Sequence, residues 1–272
     1  MRGTIFLALF AALAVAEYWR PRRIPALLRR KRWPLNLTIL AIDIVIVRAL
    51  FPAAAVGIAL MAEDRSIGIL NALDMPALAA IAVAFVALDL LVYGQHVLFH
   101  AVPALWRIHR VHHADPDFDV TTGVRFHPLE IVLSMLIKSA AILLMGAPAV
   151  AVLAFEIALN GSSLFSHANF RLPPRIDSLL RSSFVTPDMH RVHHSIRREE
   201  TDSNFGFNLS WWDRLFGTYR DQPRGGHETM TIGIRDFCDE QHCATMRGVL
   251  LMPFVSTSPH RRSTTPESRS PS

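Results

Sequence analysis

Ten of the chain's thirteen histidines lie between His96 and His194: His96, His100, His109, His112, His113, His127, His167, His190, His193 and His194. Eight of them fall into three tight groups. His96-Val-Leu-Phe-His100 is an HxxxH pattern. His109-Arg-Val-His112-His113 and His190-Arg-Val-His193-His194 are both HxxHH. Positions i, i+3 and i+4 of a helix share a face, so each group is expected to present its imidazoles in one direction. Neutral imidazole is a ligand for iron, zinc, copper and nickel. A closed zinc site takes four ligands, so eight to ten exceed the need of one ion and point to two. Without a metal, this many packed imidazoles would leave ring nitrogens needing partners, which weighs against incidental core or surface histidines.

The elements that must position these groups are apolar. The chain has 272 residues, 51% of them hydrophobic, and its long apolar runs predict a polytopic, all-α membrane helical bundle. Two lysines, Lys31 and Lys138, leave arginine to carry nearly all the positive charge behind the net +5. That charge sits in short segments beside apolar runs, which fits membrane topology better than nucleic-acid binding. Cys238 and Cys243, the only cysteines, form a weak C-x4-C metal signal and read as reduced thiols.

Residues 3–17 form a short apolar run. Ala14-Val15-Ala16 resembles a signal-peptidase site, but cleavage would place the basic stretch Arg20–Arg32 outside, so a retained helix is favoured. The cations of that stretch mark a cytoplasmic loop. A second run, 37–61, is expected to tilt or kink at Pro52. A net-acidic external loop around Glu63–Asp74 leads to a third run, 77–95. On that helix Asp89, Tyr93, His96 and His100 fall within a sector of about 60°. Asp89 is a candidate to orient a ligating histidine, because aspartate in an apolar helix is costly and usually functional. Tyr93 on the same stripe and Asn169 beside His167 are further candidates for that role.

Residues 101–128 read as a surface helix and a loop. The apolar stretch 129–165, broken at Gly146-Ala147-Pro148, returns the chain to the side it left, as two helices of about 18 residues or a shallow re-entrant pair. With two such helices the chain makes about five crossings, with the N-terminus outside and a histidine-rich helical cap in the cytoplasm. Lys138 and Glu156 are lone charges in the two arms of this hairpin, each nine positions from Ala147, and are expected to pair. The aromatic segment 171–227 reads as part of the cap, lying against the membrane interface. The Ser/Thr/Pro/Arg-rich tail 257–272 reads as disordered, which leaves 1–256 as one membrane domain.

The pattern resembles the fatty acid hydroxylase / sterol desaturase superfamily of membrane di-iron enzymes. The matching pieces are the three histidine groups, with Leu105-Trp106-Arg107-Ile108 leading into the second. Arg125-Phe126-His127-Pro128-Leu129-Glu130, Phe165-Ser166-His167-Ala168-Asn169, Asn204-Phe205-Gly206 and Trp212-Asp213-Arg214-Leu215-Phe216-Gly217-Thr218 also match. They span about 125 residues in a specific order. The resemblance implies a cytoplasmic cap over two iron ions held by the ten histidines, with His127 and His167 at positions used by the sterol-type branch. Some members carry a histidine four residues before the His167 position, where this chain has Ser163. It also implies O2 as co-substrate, a lipid or sterol-like substrate entering from the bilayer, and either hydroxylation or desaturation. No cytochrome b5-like domain is present, so electrons are expected from a separate protein. The expected localisation is the bacterial inner membrane.

The rivals are a metal-binding membrane protein without oxygenase chemistry, such as a zinc-dependent hydrolase or a transporter, and a structural protein binding adventitious metal. A transporter would carry its polar ligands at the bilayer midplane, whereas these lie outside the apolar runs. Neither HExxH nor GxSxG occurs.

Overall fold

Prolines, glycines and a few capping side chains divide the apolar sequence into helices. The computed structural model describes residues 2–73, 75–237 and 239–256. Among these, extended pairing is limited to isolated bridges. In chain order the first helices are α1 (Arg2–Trp19), α2 (Arg29–Leu50), α3 (Ala54–Asp64), α4 (Ile69–Ala72), α5 (Ala77–Ala101) and α6 (Pro103–His113). They are followed by α7 (Pro128–Met145), α8 (Ala149–His167), α9 (Pro174–Leu180), α10 (Pro187–His193), α11 (Arg198–Thr201) and α12 (Trp211–Leu215). Four stretches are long and apolar enough to cross a membrane: Arg29–Ala72, α5, α7 and α8. Gly3–Trp19 within α1 is a shorter apolar helix. The polytopic helical bundle expected from the apolar runs is the architecture observed.

The break expected at Pro52 is present: α2 stops at Leu50 and α3 starts at Ala54, since proline has no N–H to continue the helical ladder. The hairpin turn lies at Gly146, which takes φ 66° as the left-handed residue closing α7. Gly68 packs onto this turn so closely that a Cβ there would lie 2.1 Å from the Gly146 nitrogen. Lys138 Nζ donates to Glu156 Oε1 at 2.8 Å, the pairing expected from their equal distance from the turn. Ala55 and Ala59 of α3, Ala84 and Leu88 of α5, Ile142 of α7 and Phe155 of α8 form the main apolar core. Its alanines let the helices approach closely.

The basic stretch 20–32 departs from the expected loop at its end. Arg29 opens α2, and Arg32 is fully buried. Its guanidinium donates to Asp115 through Nε (2.6 Å) and Nη2 (2.7 Å), and to Asp119 through Nη1 (2.6 Å). Burial alone would raise the Asp115 carboxyl, but the Arg32 charge overrides it and holds the group down at about 2. Asn36 Nδ2 adds a bond to Asp115 and another to Thr121. This network ties α2 to the segment after α6, so Arg32 is a structural hub. Arg125 bridges the Val111 carbonyl, Asn36 Oδ1 and the Cys243 carbonyl, and Arg110 donates to the carbonyls of Met252 and Val255. The last described residues are thereby strapped across α6. Cys243 is buried. Cys238 and the tail expected to be disordered lie outside the described residues.

Candidate metal centre

Four elements bring the histidines together. α5 supplies His96 and His100, and α6 supplies His109, His112 and His113. α8 ends on His167, and α10 supplies His190 and His193, with His194 just past its end. Local sequence sets these positions. Pro103 and Pro187 each occupy a first turn, where the missing N–H costs nothing. The Thr186 side chain caps α10 by accepting from Met189 N.

Nine imidazoles sort into two sets: His96, His100, His109, His113 and His193 in one, His112, His167, His190 and His194 in the other. Within each set the ligand atoms lie within 4.8 Å of one another, and every member is buried. This corrects the expectation that each HxxHH points one way. Both triads divide by the same rule. The i and i+4 members, about 40° apart around a helix, go together: His109 with His113, and His190 with His194. The i+3 member, about 100° from its immediate neighbour, goes to the other set: His112 to the second and His193 to the first. The sets adjoin, with the His113 and His194 rings stacked at 4.5 Å.

The hydrogen-bond pattern shows what the imidazoles are prepared for. His96 Nδ1 lies 2.7 Å from the Phe205 carbonyl, His193 Nδ1 2.7 Å from the Ser203 carbonyl, and His167 Nδ1 2.7 Å from the Ser163 carbonyl. His112 Nδ1 is 3.2 Å from the Arg125 carbonyl. A carbonyl oxygen can only accept, so each Nδ1 carries the proton and each Nε2 presents a bare lone pair. Yet Nε2 of His96 and His193 are 3.0 Å apart, and those of His112 and His167 are 3.1 Å apart. Two lone pairs facing at that distance call for a cation between them. For a metal–imidazole distance of about 2.1 Å, two ligands of one ion lie about 3.0–3.4 Å apart at right-angle to tetrahedral geometry, so each of these pairs is placed to share an ion. His190 Nδ1 and both ring nitrogens of His194 lack a hydrogen-bond partner among the described residues. Burial first, and then the neighbouring imidazoles, pull His112, His113, His190 and His194 well below the ordinary histidine range. Burial takes His193 down to about 3. All are therefore neutral, in ligand form, at physiological pH. The residues fit two metal ions.

Aromatic rings sheathe both sets. Phe126 stacks on His112 at 4.6 Å, Phe118 on His167 at 5.3 Å, and Phe207 lies 5.0 Å from His96. Gly123 passes directly over His167, and a Cβ there would meet the Ser163 carbonyl at 2.7 Å. Ser163, at the position where some relatives have histidine, instead offers its carbonyl to His167 and bonds the Gly123 carbonyl through Oγ at 2.8 Å.

Four expected site residues play other parts. His127 stands outside both sets. Its Nδ1 accepts from Leu129 N and caps α7, and its Nε2 meets the Leu250 carbonyl at 3.2 Å, because Pro128 starts the helix that turns the ring away. Asp89 touches no histidine. Its carboxylate accepts from Asn208 Nδ2 and Trp212 Nε1, both at 2.8 Å, and so docks the 208–212 segment onto α5. Tyr93 bonds Thr218 Oγ1 at 2.9 Å and stacks on Phe216. Asn169 pins Arg23 through both its N–H and its carbonyl.

Two carboxylates, which the sequence reading named within matching segments but gave no role, support the site. Glu130 accepts from His109 Nδ1 at 2.7 Å, the carboxylate–histidine arrangement that fixes a metal-ligating ring. Its signal was an acid in the first turn of an apolar helix. Asp213, fully buried, accepts from Phe205 N (2.7 Å), Gly206 N (2.9 Å) and Thr218 Oγ1 (2.7 Å). It thereby aims the Phe205 carbonyl at His96. Asn204, at φ 52°, holds the same loop by donating to the Met189 and Arg220 carbonyls.

A bundle of apolar, membrane-length helices that ends in two buried, imidazole-only clusters able to hold metal ions is the class of protein that the fold and site define. The chain belongs to the fatty acid hydroxylase family, whose profile matches residues 81–218. It is 33% identical over 132 residues to an ornithine lipid hydroxylase of Rhizobium tropici, covering 48% of this chain and 39% of that protein. It is 31% identical over 137 residues to human alkylglycerol monooxygenase, covering 50% of this chain and 29% of the human protein. The chain thus spans well under half the length of these relatives. No solved structure matches it.

Proposed function

We propose that this chain is a di-iron membrane oxygenase that hydroxylates a lipid, using O2 and electrons from a separate redox protein. The observation that carries the reading is the pair of adjoining ligand sets, whose Nε2 lone pairs face each other at 3.0–3.1 Å. Nine imidazoles in two sets of five and four suit a transition metal such as iron. Iron held by these histidines would supply the O2-dependent oxidation of an unactivated C–H bond. The protein does the rest. Backbone carbonyls hold the Nδ1 protons so that the Nε2 atoms are free, and Glu130 orients His109. The Phe118, Phe126, Phe205 and Phe207 rings exclude water from the ligand sets. The relatives' names support a lipid substrate and favour hydroxylation over desaturation.

The basic stretch after α1 supports an orientation with the histidines and the C-terminus in the cytoplasm. A reporter fused after Ser256 should score as cytoplasmic, and a periplasmic score would refute that orientation. The reaction itself is tested by lipid mass spectrometry of an expressing strain against a deletion strain. A lipid heavier by one oxygen that appears only with the intact chain is expected. Identical lipid profiles under aerobic growth would refute the assignment.

A further inference from the structure

Where α1 and α8 leave the bundle, a cleft of about 710 Å³ lies outside both ligand sets. Its walls carry four arginines from four different segments. Arg22 follows α1, Arg171 follows α8, Arg181 follows α9, and Arg214 belongs to α12. The acidic side chains of the cleft engage only part of this charge. Arg22 faces Asp188 through Nε at 3.3 Å and bonds Glu228 Oε1 through Nη1 at 2.6 Å, and Arg181 bonds Asp177 and Asp221, the latter at 2.8 Å. Arg171 forms no ion pair among the described residues. Arg214 meets no carboxylate there: it donates to the Arg181 carbonyl at 2.9 Å and lies over the Tyr219 ring at 4.0 Å. His227, deeply buried in the same cleft, has no hydrogen-bond partner on either ring nitrogen among the described residues. Its nearest acidic oxygen, Asp188 Oδ2, is 3.8 Å away.

The cleft's depth can be read from its surroundings. Tyr18 and Trp19, the last residues of α1, are exposed, as are Ile176 and Leu179 of α9. Aromatic side chains at the end of an apolar helix mark the membrane–water interface, so the arginines lie at the level of lipid headgroups. The guanidinium fork matches the oxygens of phosphate and carboxylate. Exposed apolar side chains on α1 and α9, whose flanking or own residues line an arginine-walled cleft at headgroup depth, combine the two halves of an amphipathic lipid site.

We propose that this cleft binds the oxyanion of an anionic lipid headgroup, phosphate or carboxylate, with the lipid's chains lying along the exposed side chains of α1 and α9. The lipid held here need not be the one oxidised, so binding and turnover are separate measurements, and failure of one leaves the other standing.

The full chain is purified in nanodiscs, and lipid retention is read by native mass spectrometry with phosphatidylglycerol against phosphatidylcholine. Each arginine near an anionic surface contributes about 1 kcal/mol, so two together give roughly tenfold or more in preference. Wild type should retain phosphatidylglycerol by at least that ratio. Arg171→Gln/Arg214→Gln should lose the preference while keeping its metal content, which shows that it folds. Arg224→Gln/Arg235→Gln, at exposed sites outside the cleft, should keep it. Equal retention of the two lipids by wild type, or an unchanged preference in the cleft variant, overturns the proposal. An equal loss in the control variant points to diffuse charge and overturns it as well. Displacement of the lipid by millimolar inorganic phosphate alone reassigns the cleft to a free anion and overturns the lipid assignment.

Discussion

Replacing Lys138 by Met tests the packing of the hairpin. The Lys138–Glu156 contact is 2.8 Å, with the side chains 17% and 11% exposed. Removing one partner of a fully buried ion pair costs about 3–5 kcal/mol, and a lone charge near the bilayer centre about 2.5–3.5 kcal/mol. The residual exposure of both side chains lowers this, so Lys138→Met is expected to destabilise the protein by about 2–3 kcal/mol. Glu156→Gln alone should cost a similar amount, because it leaves the lysine without its carboxylate. The double variant removes both charges and should recover about 2 kcal/mol of the summed loss, the signature of direct coupling. Unfolding midpoints in mixed micelles, converted to free energies for all four proteins, complete the cycle. If the double variant is no more stable than the two single losses predict, the pair contributes nothing and the reasoning fails.

Glu130→Ala should lower metal retention 10–100-fold, the usual loss when a ligand-orienting partner is removed, and Glu130→Gln much less, because an amide oxygen still accepts from His109; equal losses would show that geometry is not the reason. Asp213→Asn should weaken retention through the Phe205 loop, read as faster metal release to a chelator, and unchanged release would contradict the positioning role. In the chelated protein, the folded state takes up protons on His112, His113, His190, His193 and His194 only well below pH 6.5, whereas the unfolded chain takes them up near 6.5. Stability is then fully present above about pH 6.5 and lost as pH falls through the acid range, so the unfolding midpoint should be lower at pH 5.5 than at 7.5, and a higher one would refute the burial of neutral imidazoles.

The sequence revealed the frame of this molecule because its signals were local. Apolar runs mark the spanning helices, and Gly146 and Pro148 mark the turn between two of them. Equal distances from that turn located the Lys138–Glu156 pair. Histidine spacing singled out the eight imidazoles of the three groups, since a helical repeat limits which side chains can meet, and the family resemblance added His167; the fold brings these nine together. What it could not show was long-range. His127 stands outside the three groups and directly before Pro128, but its role as the cap of α7, with Nε2 on the Leu250 carbonyl, follows from the fold. Asp89 had the cost and position expected of a functional carboxylate, but its partners lie about 120 residues onward at Asn208 and Trp212. Arg32 read as a topology signal because the acids that bury it, Asp115 and Asp119, come more than 80 residues later. The division of each HxxHH between two sets also follows from the third dimension, where α6 and α10 meet.

Metal content tests the central claim most directly. The protein, purified anaerobically and analysed by elemental mass spectrometry, should carry about two irons per chain, one for each ligand set. His193→Ala breaks the five-histidine set and His112→Ala the four-histidine set, so each should retain about one iron and lose lipid hydroxylation. A wild-type chain holding a single metal, or zinc in place of iron, would contradict the account, as would either variant with full iron content and full activity.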